Sequence, residues 1–115
     1  MEEKVLSIIT AIRESFGSSI AVYTCGNCYQ LYEILKTIFP ESEAYDIGGH
    51  VWTKIDNNFY DIRGKQIHKG GMLEPIVREE RIKSLSQNKW TDERRKEYGM
   101  GEEMNKKIKE VKVFL

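Results

Sequence analysis

The reactive side chains are concentrated in a short stretch. Both cysteines lie in Cys25-Gly26-Asn27-Cys28, and of the two histidines His50 opens the run HVWTKI while His68 sits in KQIHKGG. Cysteines three apart close too small a ring to staple a fold, so they read as reactive thiols or metal ligands. The thiolate is the reactive form of cysteine. A helix N-terminus stabilises it through unpaired backbone N–H groups and the positive end of the dipole. Cys28 is expected at such a position, with Gly26 turning the backbone into the helix and leaving N–H groups to face an anion developing on a bound carbonyl. A nucleophile also needs a base. His50, behind Gly48-Gly49 at the start of a strand, is well placed as an exposed one; His68 is expected in a solvent-exposed loop without a role.

Helices and strands must bring these groups together. Val5, Ile8, Ile9, Ile12 and Phe16 recur at helical spacing before Gly17, which predicts a packing helix. Residues 18–24 read as a short strand or extended lead-in to CGNC. A second helix is predicted from Asn27 or Cys28 through YQLYEILKTIF, burying Leu31, Ile34, Leu35 and Ile38 and ending at Pro40. The period then changes to alternation in EAYDI, HVWTKI and FYDIRG, which predicts two or three antiparallel strands with a tight hairpin. From Gly70 onward EPIVREERIKSL, TDERRKEYG with Thr91 as N-cap, and EEMNKKIKEVKVFL predict a charged helical C-terminus.

Parity in the hairpin selects a third partner. A two-residue turn at Asp56-Asn57 pairs Trp52 with Asp61, so that His50, Trp52, Lys54, Asp61 and Arg63 share one face and Asp61 lies diagonal to His50. Diagonal neighbours are roughly 7 to 8 Å apart at the backbone, within reach of a carboxylate and an imidazole. A turn at Asn57-Asn58 would keep the parity and move Asp61 two residues further away.

CGNCY resembles the Cys-Gly-Ser-Cys-Trp/Tyr nucleophile segment of papain-like proteases, and HVWTKIDNNFYDIRG is similar to the His-x-Trp strand and following Asp strand of transglutaminase-like thiol enzymes. Compact versions of this superfamily are familiar among bacterial and phage proteins. The resemblance covers about residues 20 to 64. It implies a papain-like or transglutaminase-like core. With the N-terminal helix, the nucleophile helix on a small antiparallel sheet and the helical C-terminus, the expected fold is α+β. The 115 residues, 40% hydrophobic, are expected to form a single domain, 1–115. The resemblance also implies Cys28 as nucleophile, His50 as general base and acid, and Asp61 as orienter of the imidazole. Gly26, Asn27 and Trp52 would then line the substrate side, and a peptide or protein would be the substrate. No metal or organic cofactor is implied. The papain-type glutamine before the cysteine is absent, with Val22, Tyr23 and Thr24 in its place.

Other classes compete. IAVYTCGNCYQLYEILKTIF as strand, CxxC and helix resembles a glutaredoxin site, in which Cys25 would be the resolving thiol. Cys25, Cys28, His50 and His68 supply four ligands for zinc, although structural sites space their second ligand pair three to five residues apart. A catalytically silent binding or inhibitor module on the thiol fold is the remaining class. With 18 basic and 18 acidic residues among 115, nothing pulls the chain globally toward nucleic acid or an anionic membrane. The start MEEKVLSIITAIRESF lacks the basic leader and unbroken apolar run of a secretory signal, and no stretch approaches the roughly 18 to 20 apolar residues of a span. A soluble, cytoplasmic protein is expected.

Overall fold

A computed structural model describes residues 1–15, 17–24 and 26–86. Helix α1, Glu2–Glu14, carries Glu2 and Glu3 in its first turn and Arg13 in its last, each charge opposite to the dipole end it sits near. Its stripe of Val5, Ile8, Ile9 and Ile12 is fully buried. Helix α3, Cys28–Ile38, starts behind Asn27 and buries Leu31 and Leu35, with Ile34 and Ile38 packed partly against the same core. Phe16, placed on the α1 stripe by spacing, and everything predicted from 87 onward, including Thr91 as a cap, lie outside the described residues.

Residues 18–24 are not extended. They form helix α2, Ser19–Thr24. Its buried positions, Ser19, Val22 and Tyr23, are spaced three and four apart, which is a helical period, and Tyr23 is wholly enclosed. β-Branched composition suggested a strand, but packing between α1 and α3 prevails over a propensity worth at most about 1 kcal/mol.

Five strands follow: β1 Glu43–Ile47, β2 His50–Ile55, β3 Asn58–Asp61, β4 Gly64–Gln66 and β5 Leu73–Pro75. They form one sheet in the order β4-β3-β2-β1-β5, with every neighbouring pair antiparallel. Neither β4 nor β5 was expected: β4 is a short return after the Ile62-Arg63 turn, and at β5 EPIV reads as helix by composition. In the fold β1 has a free edge, and Leu73 to Pro75 occupy it, with the Ile76 amide donating to the Ala44 carbonyl at 2.8 Å. Proline belongs at such an edge, since it has no N–H to give to a further strand. The helix starts later, as α4, Glu79–Ser86. One core joins α1, α2 and α3 to Ile55, Tyr60 and Ile62. Among the described residues no helix is long and apolar enough to cross a membrane.

The β2–β3 turn is at Asp56-Asn57: Ile55 pairs with Asn58, and the two turn residues have φ of 51° and 67°. Two successive positive values make a type I′ turn, whose twist suits a hairpin and which Asp and Asn tolerate. Asn57→Val should therefore destabilise the protein by about 1–2 kcal/mol while Asn57→Gly does not, as read by urea denaturation.

Candidate functional site

Cys28, His50 and Asp61 come from three different elements. Cys28 is the first residue of α3, His50 the first of β2 and Asp61 the last of β3. The Thr53–Tyr60 pairing, carried one row on, sets Asp61 opposite Trp52 and so diagonal to His50. The imidazole Nε2 and the Asp61 carboxylate oxygen Oδ2 are 3.1 Å apart. Nε2 being engaged, Nδ1 is the ring nitrogen left for the Cys28 sulfur, with which His50 interacts by hydrogen bonding and charge.

The sheet itself makes room for the sulfur. In a two-residue hairpin every second pair exchanges both backbone hydrogen bonds: Ile55 with Asn58, Thr53 with Tyr60, and next in turn Val51 with Ile62. The strands part before that last pair forms. The Val51 amide instead donates to Cys28 Sγ at 3.3 Å, and the Ile62 carbonyl accepts from Arg13 Nη1 at 3.1 Å. After Asp61 the chain turns at Ile62-Arg63 into β4, so the β2–β3 ladder ends at Thr53–Tyr60 and the nucleophile takes up the Val51 donor beyond that end.

Asp61 is held on all sides. Its carboxylate, 1% exposed, accepts from the Arg63 amide, Nε and Nη2 at 2.8, 3.0 and 2.6 Å and from Gln66 Nε2 at 3.1 Å, besides facing His50. Burial pushes its carboxyl pKa up, but the hydrogen bonds from His50 and Arg63 outweigh it and leave the group below its usual range. Hydrogen bonding to Asp61, then to Cys28, raises His50 to about 9 against the cost of burial. For Cys28, burial raises the thiol pKa, yet the His50 hydrogen bond and the Val51 amide together bring it below its ordinary value. The two directions favour the same pair, a thiolate beside an imidazolium, over the neutral thiol and imidazole.

The other expected residues fall out as follows. Asn27 sits at the N-cap of α3 without a capping bond from its side chain, and its Oδ1 is buried with no partner among the described residues. Gly26 has φ +104°, a conformation only glycine takes readily, so it does make the turn into the helix. Trp52 is 7% exposed and packs on Phe59, with ring centroids 5.8 Å apart. It belongs to an aromatic cluster that includes Tyr45. Cys25 lies outside the described residues. His68 is exposed and bonded to the Gly71 carbonyl, and among the described residues no three His, Cys, Asp or Glu side chains gather as a metal site. The strand that a glutaredoxin-like site needs ahead of its thiols is helix α2, and among the described residues the sheet has no parallel pair.

Sequence reasoning missed Arg63 and Gln66 as partners of Asp61, and Arg13. Arg63 was legible as a same-face neighbour, since it is two residues from Asp61; Arg13 was not, because its bond spans 49 residues. No curated protein and no solved structure matches the chain. A family described as phage YunG-like protein matches it over residues 5–112, nearly its whole length, and the chain belongs to this phage YunG-like family.

Proposed function

We propose that the protein is a thiol-dependent hydrolase or acyltransferase with a papain-like or transglutaminase-like core, acting on an amide or thioester of a peptide or protein. The observation that carries this reading is the connected series Cys28, His50 and Asp61, in which a helix-start sulfur is lowered in pKa and an imidazole raised. The order of a cysteine on a helix, a histidine opening the next long strand and an acid on the antiparallel neighbour is the order the resemblance implies.

The chemistry balances as follows. The Cys28 thiolate attacks the carbonyl carbon, forming a C–S bond as the carbonyl π electrons move to oxygen. Unpaired first-turn N–H groups of α3 face that oxyanion. Collapse re-forms the carbonyl and expels the amine or thiolate leaving group, which takes the proton from His50. Water or an acceptor amine, deprotonated by His50, then attacks the thioester, and cleavage of the C–S bond restores thiolate and imidazolium.

Cys28 is only 6% exposed, whereas the His50 side chain is 20% exposed, so a bulky acyl donor must displace packing around the sulfur. A small active ester is therefore the right first probe. Incubated with p-nitrophenyl acetate, the protein should carry one acetyl group on Cys28 in peptide mass spectrometry. Acetylation confined to lysines, with Cys28 reacting at the rate of an ordinary free cysteine, would sink the proposal. That result would favour the second reading, a catalytically silent binding module, to which the low exposure of the thiol also points.

Ester or amide turnover should follow a bell-shaped pH profile. The acid limb falls as Cys28 is protonated below its lowered pKa, and the alkaline limb falls as His50 loses its proton near 9. A profile that keeps rising through pH 9 would remove His50 as the proton donor to the leaving group.

A further inference from the structure

Two glycines immediately precede His50, and they give the turn that presents it unusual freedom. Gly48 and Gly49 join Ile47 to His50 with φ of +57° and +88°, and a Cβ built on either would touch nothing within 4 Å. Among the described residues nothing packs against these two positions, and glycine loses more freedom on ordering than any other residue. One side chain ties it down. Asp46 Oδ1 accepts from the Gly49 amide at 2.9 Å, while Asp46 Oδ2 accepts from Arg81 Nη2 of α4 at 3.0 Å. Asp46 also stands opposite Val51 in the β1–β2 register, the residue whose amide holds the Cys28 sulfur.

We infer that Asp46 is a positioning residue for the Cys28–His50 pair, acting through the Gly48-Gly49 turn. Its carboxylate restrains the backbone one residue ahead of the base, and Arg81 holds that carboxylate at the rim of a cavity also lined by Glu74 and Arg78. The His50 ring is bounded by Cys28 from α3 and by Asp61, itself backed by Arg63, so a small rotation of the turn changes both distances at once. A misplacement of 1 Å is worth up to about 10²-fold in rate where reacting groups must align.

The meaning of this role rests on the thiol-enzyme reading, but its test reads the pair directly. Three variants, Asp46→Ala, Asp46→Glu and Asp46→Asn, are compared with the wild-type protein by NMR titration of His50, with His68 as a reference in the same sample, by the pH profile of Cys28 alkylation with iodoacetamide, and by urea denaturation. Ala removes the acceptor, and Glu keeps the charge but moves the carboxylate beyond the turn amide; both should lower the His50 pKa by roughly one unit and slow alkylation at pH 6 about tenfold. Asn retains Oδ1 and should restore the wild-type titration. A loss of stability in Ala and Glu with an unmoved His50 titration would overturn the inference, leaving Asp46 a structural turn cap. It would also fail if Asn behaved like Ala, since charge and not the turn bond would then be responsible. Failure of the enzyme reading is separate: it appears as absence of acetyl-Cys28 in the wild-type protein, whatever the variants do.

Discussion

Cys28→Ser is expected to abolish the acetyl-enzyme formed from p-nitrophenyl acetate and to lower any turnover by on the order of 10⁴-fold or more. A serine hydroxyl in the same position cannot ionise beside an imidazole as a thiol does, so the ground-state ion pair disappears along with the nucleophile. The fold should scarcely register the change. Serine is smaller by little and still offers the Val51 amide an acceptor, so the urea midpoint should correspond to a loss within about 1 kcal/mol. The discriminating measurement is iodoacetamide labelling near pH 6 followed by peptide mapping: the fast-reacting site should vanish, and residual label should fall on Cys25. Fast labelling that survives in Cys28→Ser would assign the reactive thiol to Cys25 and end the case for Cys28.

The second large effect is expected at Asp61. Its hydrogen bond is the foremost cause of the raised His50 pKa, so Asp61→Asn should bring His50 down from about 9 toward its ordinary value, with the Cys28 hydrogen bond still opposing burial. Each unit of that fall is worth about tenfold in the ratio of imidazolium to neutral imidazole. The thiolate loses its counter-charge in turn, and the pH profile of Cys28 alkylation should move to higher pH. Stability should fall as well, by about 2 to 3 kcal/mol at pH 6, because a carboxylate 1% exposed gives up its charge-assisted bonds.

The pH dependence of that stability difference follows from the directions of the two shifts. The lowered Asp61 pKa adds stability that is present above the unfolded carboxyl value and is lost as pH falls through the folded one. The raised His50 pKa adds stability that is complete below 6.5 and is lost as pH rises to about 9. The gap between wild type and Asp61→Asn should therefore be widest between about pH 4 and 6.5 and narrow on either side. A gap that widens steadily from pH 6.5 to 9 would show that His50 is not paired with this acid.

How much of this was legible beforehand depended on the range of each interaction. The α1 stripe, the start of α3 at Cys28 and the Asp56-Asn57 turn were readable because each is set by residues within a few positions of one another: apolar spacing, a glycine before a helix, and two residues that tolerate positive φ. Hairpin parity then made the His50–Asp61 diagonal a matter of counting. The errors lie where local preference and tertiary demand differ. Residues 18–24 have strand-like composition but pack as α2 between two helices, and the segment around Glu74 has helical composition but occupies the free edge of β1.

Sequence alone therefore determined which groups have the chemistry, a thiol behind Gly-Asn at a helix start, a histidine behind two glycines and an acid in phase with it, since these depend on residue type and short spacing. Only the tertiary structure decided that the β2–β3 ladder ends short of Val51 and leaves its amide to the sulfur, with Arg13 taking the Ile62 carbonyl, and that Arg63 and Gln66 hold Asp61 in place. Those contacts join segments whose separation along the chain carries no periodic signal, and they form because a buried backbone donor or acceptor must find a partner wherever the fold provides one.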